Sequence, residues 1–285
     1  MSEPAPRTPL FAAEHASRYE RQSLIAQYQE MTKANLVVVI DDITPIKMTI
    51  LEDLLFDCDP SRDLHVLLAS PGGDGEAALR MVRSMQARCR ELTVIVPDMA
   101  KSAATILCLG AHRILMGPAG DLGPIDPQMI TYRDGRPVMR SAAKEIVAAV
   151  AEAEERVTAN PGAVGLFASL LSEVNMLIVE QARSALARSA SLMAEALKSP
   201  GRLGPEEVKD LAATLTAPLI DAPTSHSAVI TADDAVELGL PVEKADTSSP
   251  QWKLLWDLWA RYFNLGCFPA GNRSIYEGRR ASHTG

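Results

Sequence analysis

Cysteine is scarce in this sequence of 285 residues. The four cysteines, Cys58, Cys89, Cys108 and Cys267, lie far apart, and no two of them form a CxxC pair. Zinc sites and disulfide-rich folds need closer cysteine spacing than this. The sequence therefore predicts free, reduced thiols, no metal site and a cytoplasmic location.

Positive charge and long apolar runs are also lacking. The chain has 28 Lys and Arg residues against 36 Asp and Glu residues, a formal net charge of −8. A protein that binds nucleic acid needs a basic surface, so this balance argues against such a partner. No eighteen consecutive residues are apolar, and the first residues lack a basic stretch followed by an apolar one. We therefore expect no membrane-spanning helix, no signal peptide and a soluble protein.

Apolar residues make up 47% of the chain, which is enough to bury a sizeable core. Between residues 16 and 116, short β-branched runs alternate with stretches of helical periodicity, and strands recur about every 28 residues. This order is typical of βαβ units and predicts an α/β fold with a mostly parallel sheet. The predicted strands are 36–40, 64–69, 92–96 and 113–116, and the predicted helices are 16–33, 47–57, 76–90 and 102–110.

The second half of the chain is predicted to be mainly helical. Helices are expected over residues 138–158, 164–198, 205–214 and 231–239, and the first two would form a long arm at 138–198. We expect disorder in residues 1–15, one domain over 16–245, and a tail over 246–285.

The tail is expected to be irregular apart from a short helix rich in tryptophan. Trp252, Trp256 and Trp259 are spaced so that all three are predicted to face one side. That side would pack on the domain or on a neighbouring subunit. The alternative is an interfacial membrane helix, although only Lys253 and Arg261 supply positive charge there.

Two segments carry the strongest functional signal. Ser70-Pro71-Gly72-Gly73 follows the strand 64–69, and glycines at such a turn let backbone N–H groups approach a ligand closely. Ser102 lies where a strand gives way to a helix, among small residues. Together they predict an oxyanion hole and a nucleophile. Taken separately, the first could be an ordinary turn and the second a helix cap.

Five segments together resemble a known family. They are LLASPGG (67–73), AKSAAT (100–105), MGP (116–118), LGPIDPQ (122–128) and TADDAVELGL (231–240). The chain is similar to the serine dehydrogenase proteinase family, which comprises Clp-fold serine peptidases related to signal peptide peptidase A within the ClpP/crotonase-like superfamily. The resemblance covers about residues 20–245, and it implies a ClpP/crotonase-like fold with a long helical arm.

The resemblance also implies a catalytic site. Ser102 would be the nucleophile, and the N–H groups of Gly72, Gly73 and Ala103 would form the oxyanion hole. Clp proteases carry a histidine about 25 residues after the serine, but residues 124–128 contain none. Relatives of signal peptide peptidase use a Ser–Lys dyad instead, and Lys144 stands 42 residues after Ser102. Lys144 is therefore the predicted base.

Three further residues are accessory candidates. Lys101 adjoins Ser102, and because neighbouring side chains at a helix start diverge, it is a poorer base. His226 could serve as the base or contact the substrate, and the alternative is a loop histidine bound to backbone. Asp126 could orient the base or cap a turn.

The expected function is hydrolysis of peptide bonds through a Ser102 acyl-enzyme, with a peptide or protein substrate and no cofactor. The resemblance implies a homo-oligomer joined through the helical arms and allows a membrane-associated substrate. Two alternatives stay open: a crotonase-type acyl-CoA enzyme, and a non-catalytic scaffold of the same fold.

Overall fold

A seven-stranded sheet forms the centre of the computed structural model, which describes residues 8–133 and 136–285. Its strand order is β11-β10-β1-β2-β3-β5-β9. Strands β1, β2, β3, β5 and β9 pair in parallel, β10 pairs antiparallel with β1, and β11 pairs antiparallel with β10. The described strands are β1 (Asn35–Ile40), β2 (Leu64–Ala69), β3 (Leu92–Val96), β4 (Met99–Ala100), β5 (Arg113–Met116), β6 (Asp121–Leu122), β7 (Gln128–Arg133), β8 (Arg136–Ala142), β9 (Val242–Lys244), β10 (Ile275–Glu277) and β11 (Ser282–Thr284).

Helices cover both faces of this sheet. They are α1 (Pro9–Glu14), α2 (Ala16–Thr32), α3 (Met48–Phe56), α4 (Gly75–Gln86), α5 (Ala103–Leu109), α6 (Ala143–Ala159), α7 (Val164–Leu170), α8 (Met176–Lys198), α9 (Pro205–Thr216), α10 (Ala232–Glu237) and α11 (Pro250–Asn264). One core joins the sheet to α3, α4, α5 and α8, and a second core joins its other face to α2 and α11. All residues of β1, β2 and β3 are buried, as expected for parallel strands covered on both sides.

This architecture confirms the predicted α/β fold with a mostly parallel sheet. The four predicted strands and the helices between them are present within one or two residues at most boundaries, although the helix expected to end at residue 90 ends at Gln86. The carboxyl ends of β2 and β3 lie side by side in the sheet. The glycine turn that follows β2 and the segment that leads to Ser102 therefore leave the sheet at the same edge.

The two ends of the chain differ from expectation. Residues 9–14 form α1 rather than a disordered segment, with Pro9 in its first turn and the Phe11 ring stacked on His15 at 4.1 Å; residues 1–7 lie outside the described part. The tail is not irregular, because β10 pairs with β1 and β11 pairs with β10. Strands of three residues paired with a distant partner leave no periodic pattern in the sequence.

The helical arm also differs in detail from its prediction. The hairpin of β7 and β8 occupies the residues where the first arm helix was expected to begin, so α6 begins at Ala143. The second expected helix, 164–198, is divided into α7 and α8 by residues 171–175. Asn175 caps α8 by accepting a hydrogen bond from the Ile178 N–H, and this cap marks a new helix start.

The three tryptophans of α11 do not share one side, contrary to prediction. Trp252 and Trp259 are buried against the sheet, whereas Trp256 is 49% exposed. The buried stripe also contains Leu255 and Tyr262. Trp256 follows Leu255 by one residue, which is about 100° around the helix, and so falls at the edge of that stripe.

Within residues 8–133 and 136–285, no helix has the length and the apolar character that crossing a membrane requires. All four cysteines are free.

A buried ion pair joins the two ends of the chain. The guanidinium group of Arg21 on α2 donates two hydrogen bonds, of 2.8 and 3.1 Å, to the carboxylate of Glu277 on β10. The Tyr262 hydroxyl on α11 donates a third hydrogen bond to the same carboxylate at 2.7 Å. Glu277 is fully buried, so these hydrogen bonds replace the water that its carboxylate loses on folding.

We expect Glu277→Ala to lower the free energy of unfolding by about 3–5 kcal/mol, because it leaves the Arg21 charge buried and unpaired. Urea unfolding followed by circular dichroism measures this loss. Glu30→Ala, which removes an exposed partner of Lys33, is the control and is expected to leave stability nearly unchanged. Equal losses in the two variants would contradict the expectation.

Candidate functional site

The glycine turn is fixed on two sides. The Ser70 N–H donates to the Met99 carbonyl and the Lys101 N–H donates to the Ser70 carbonyl, each at 3.0 Å. On the other side, the Ile43 N–H donates to the Gly72 carbonyl at 2.7 Å. The turn that follows β2 is therefore held between the loop after β1 and the residues just before Ser102.

Ser102 has a backbone conformation that side-chain-bearing residues rarely adopt. Its φ is 53° and its ψ is −117°, at the junction between β4 and the buried helix α5. Such a conformation costs roughly 1–3 kcal/mol and persists only where the surroundings enforce it. The Ser102 side chain does not cap α5. The hydroxyl is half-buried and bonds to none of the residues that the structure describes.

Gly72 packs directly against this serine. Its φ is +112°, and a Cβ atom there would lie 2.7 Å from both the Ser102 Cβ and the Lys101 carbonyl oxygen. The same Cβ would lie 3.2 Å from the Ala103 nitrogen. Only glycine fits at position 72, and its lack of a side chain lets the turn and the serine meet.

The three predicted oxyanion donors differ in what their N–H groups do. The Gly72 N–H donates to the Ser70 Oγ at 3.0 Å, so it is already engaged. Those of Gly73 and Ala103 donate to no acceptor in the described part of the chain. Ala103 is the first residue of α5, where an N–H has no partner within the helix.

Asp126 and His226, a hundred residues apart in sequence, form a hydrogen-bonded pair. His226 Nδ1 lies 2.7 Å from Asp126 Oδ1, and Asp126 is 1% exposed. Since Nδ1 contacts the carboxylate, it carries the proton and donates it, and Nε2 is the ring nitrogen left for another partner. Gln128 Nε2 donates to Asp126 Oδ2 at 3.0 Å, which further fixes the carboxylate.

Two sets of contacts tie this pair to the residues beside Ser102. The Thr105 hydroxyl, in the first turn of α5, accepts a hydrogen bond from the Gly123 N–H at 3.1 Å. Leu122, the residue before Gly123, exchanges two backbone hydrogen bonds of 3.0 Å with Ile230. The segment that carries Asp126 and the loop that carries His226, residues 222–230, therefore run next to each other and past the start of α5. We call residues 222–230 the histidine loop.

The contacts of Lys101 do not fit the role of a general base. Its Nζ lies 2.8 Å from Asp121 Oδ2 and donates to the carbonyl oxygens of Leu122 and Ala228 at 3.1 and 3.2 Å. Burial raises the pKa of the Asp121 carboxyl, and the hydrogen bond from Lys101 opposes that rise. Burial and the nearby Asp121 also raise the pKa of Asp98. The ammonium group of Lys101 thus forms an ion pair with the largely buried carboxylate of Asp121.

Lys144 lies close to the pair of Asp126 and His226. The Ala143 N–H donates to the Pro127 carbonyl at 2.9 Å, which places the start of α6 beside Asp126. Lys144 Nζ donates to the carbonyl oxygens of Ile220 and Pro223 at 3.1 and 2.5 Å, and it lies 4.0 Å from Asp126 Oδ2. Within the described residues, every polar contact of this ammonium group is to an oxygen atom.

A cleft of about 630 Å³ lies between the histidine loop and α10. Pro223, Val229 and Ile230 contribute apolar walls, and Asp234 and Glu237 contribute carboxylates. Its volume is sufficient for a side chain of a bound peptide. Within the described residues, no three His, Cys, Asp or Glu side chains converge as metal ligands do.

Sequence reasoning missed Ser70, Thr105 and Asp121. Ser70 and Thr105 belong to the SPGG and AKSAAT segments, so their positions in those motifs were a usable signal. Asp121 has no local signal, because its role comes from Lys101, twenty residues earlier.

Residues 51–158 match the model of the ClpP-like SDH-type serine proteinase family. Among curated proteins, two uncharacterized proteins of Methanocaldococcus jannaschii are similar to this chain. One is 28% identical over 67% of this chain and 56% of its own length, and the other is 24% identical over 63% and 51%. The chain thus spans about half the length of the curated relatives that it matches.

Two solved structures are similar to this chain over most of its length. One is a serine-to-alanine mutant of the 1510-N membrane-bound stomatin-specific protease, with a TM-score of 0.46 and 13% identity over 83% of this chain and 87% of that one. The other is a lysine-to-alanine mutant of the same protease with a substrate peptide, with a TM-score of 0.44 and 14% identity over 86% and 89%. The family match confirms the resemblance that the sequence motifs indicated: residues 51–158 are similar to the ClpP-like SDH-type serine proteinases.

Proposed function

We propose that this protein hydrolyses peptide bonds, with Ser102 as the nucleophile and His226, oriented by Asp126, as the general base. The observation that carries the proposal is the strained Ser102, packed against Gly72 and bordered by segments that carry a buried Asp–His pair. Strain at a residue with a free hydroxyl is typical of nucleophiles at strand-to-helix turns.

The chemistry follows the general order of acyl transfer. His226 Nε2 takes the Ser102 proton as Oγ attacks the carbonyl carbon of the substrate, and Asp126 stabilises the imidazolium that forms. The N–H groups of Gly73 and Ala103 stabilise the oxyanion, because neither donates elsewhere in the described residues. His226 then protonates the leaving amine, and water releases the acyl-enzyme.

Gly72 and Lys144 keep their sequence-predicted roles only as second candidates. Gly72 stays a candidate oxyanion donor, but its N–H would first have to leave the Ser70 hydroxyl. Lys144 stays the second candidate for the base, because its Nζ lies beside Asp126. His226 is favoured over Lys144 because the Lys144 Nζ already donates to two carbonyl oxygens and lies 4.0 Å from Asp126 Oδ2, whereas His226 Nε2 bonds to none of the described residues.

The substrate class and the assembly are part of the proposal. A peptide or protein substrate agrees with the family of residues 51–158, and a membrane-associated substrate and a cytoplasmic location stay predictions.

A homo-oligomer is supported by the arm tip, defined as residues 161–178. Its exposed apolar side chains are Val164, Leu166, Leu170, Met176 and Leu177. Exposed apolar surface of this kind marks contact sites in proteins.

We expect a fluorophosphonate probe to label the protein at Ser102 and the protein to hydrolyse fluorescein-labelled casein. Ser102→Ala should abolish labelling and lower hydrolysis on the order of 10⁴-fold or more, as loss of a nucleophile does. Ser169→Ala, at an exposed position of α7, is the control and should behave like the wild type. A wild type that turns over an acyl-CoA and resists the probe would indicate a crotonase-type enzyme, and a wild type without either activity would indicate a scaffold.

The base is tested by His226→Ala and Asp126→Asn. We expect His226→Ala to lower kcat on the order of 10³-fold or more, because proton transfer from Ser102 then has no acceptor. Asp126→Asn should also lower kcat, since an amide neither favours the Nδ1–H tautomer nor stabilises the imidazolium. His112→Ala, which alters a histidine that accepts from the Leu92 N–H, is the control. Full activity in His226→Ala would refute the role of His226.

Oligomerisation is tested at the arm tip. We expect the wild type to elute as an oligomer in size-exclusion chromatography with light scattering. The double variant Leu166→Glu/Leu170→Glu should elute as a monomer, because it puts two charges into the proposed contact. Phe56→Glu, at a more exposed apolar position outside the arm, should leave the assembly intact. A monomeric wild type, or loss of the oligomer in Phe56→Glu alone, would refute the proposed contact.

A further inference from the structure

Two nearly buried lysines hold the histidine loop. The side chain of Lys101 is 12% exposed and that of Lys144 is 17% exposed. Each ammonium group contacts one carboxylate, of Asp121 or Asp126, and two backbone carbonyl oxygens. Ammonium groups lose hydration when they are buried, so these oxygen atoms replace water.

The carbonyls that they bind lie at the two ends of the loop. Lys144 binds Ile220, just before the loop, and Pro223 within it, while Lys101 binds Ala228. Each lysine also contacts the segment that carries Asp126: Lys101 binds the Leu122 carbonyl, and Lys144 lies near Asp126 itself. Each ammonium group is thus a bridge between the histidine loop and the segment that holds its carboxylate partner.

The loop has few other tethers. Among the described residues, the remaining backbone hydrogen bonds of 223–229 stay within the loop, such as the Ala228 N–H to the Ser225 carbonyl at 3.0 Å. The Leu122–Ile230 pair holds only its last residue. The positions of residues 223–229, and with them that of the His226 ring, therefore depend on the two lysines and on the bond to Asp126.

We propose that Lys101 and Lys144 are positioning residues that hold the histidine loop so that His226 stays aligned between Asp126 and Ser102. This inference rests on the proposed function, and it gives Lys144 a role other than that of the base. Placing a base wrongly by about 1 Å can lower a rate by two orders of magnitude. The two lysines therefore act on the reaction through the place of His226 and not through proton transfer.

The proposal distinguishes methionine from arginine at both positions. Methionine keeps much of the apolar stem but donates no hydrogen bond, whereas arginine donates to carbonyls and carboxylates but cannot serve as a base. We expect Lys101→Met and Lys144→Met each to lower kcat about 10- to 100-fold with little change in KM. Lys101→Arg and Lys144→Arg should recover part of the lost kcat. Lys209→Met, which alters an exposed lysine of α9, should match the wild type.

Hydrogen–deuterium exchange gives a second readout that needs no activity. Backbone amides in residues 222–230 should exchange faster in the two methionine variants than in the wild type, and the arginine variants should be protected again. Exchange in β1 and β2 should not change, and this separates a freed loop from general destabilisation. Circular dichroism gives the folded fraction by which kcat is corrected.

Each outcome bears on one proposal. If Lys144→Arg is as inactive as Ser102→Ala while the loop keeps its protection, Lys144 is the base and its positioning role is refuted. Unchanged exchange and unchanged kcat in both methionine variants would also refute the positioning role. If the wild type hydrolyses nothing, the proposed function fails, and the exchange measurement alone decides whether the lysines hold the loop.

Discussion

The close approach of Gly72 to Ser102 is the contact on which the rest of the site depends. A side chain at position 72 would overlap the Ser102 Cβ and the Lys101 carbonyl, so the turn after β2 can reach the start of α5 only because it lacks one. The same contact helps to hold Ser102 at its strained φ of 53°. It also brings the Gly73 and Ala103 N–H groups to one edge of the sheet, because the carboxyl ends of parallel strands meet there.

Buried charge organises the other half of the site. Asp126 is almost inaccessible to water and has His226, Gln128 and Lys144 as partners. A carboxylate at this depth is costly unless such partners surround it. Gln128 is two residues away at the start of a strand, whereas Lys144 and His226 come from a helix and a loop farther along the chain. The electrostatic requirement of one side chain therefore constrains three separate elements, and the placement of His226 is among the results.

The regular part of the fold was predictable because its signals are local. Apolar runs such as 36–40 and 64–69, and the helical periodicity between them, are short-range patterns that buried parallel strands and covering helices require. What failed was non-local or sparse: the strands Ile275–Glu277 and Ser282–Thr284, the hairpin before α6, and the exposure of Trp256. The strand Ile275–Glu277 is fixed by its pairing with the distant β1, and the exposure of Trp256 by a small rotation about the helix axis.

The sequence by itself determined four parallel strands, β1, β2, β3 and β5, and it identified the Gly72 turn and Ser102, because each depends on residue types at adjacent positions. It also supplied Lys101, Asp126, Lys144 and His226 as candidates without relating them to one another. Only the tertiary structure decided that Asp126 pairs with His226 and that the ammonium groups of Lys101 and Lys144 contact the carbonyls around the histidine loop. A hydrogen bond across a hundred residues depends on how the chain returns to itself, and the packing of the sheet and helices fixes that path.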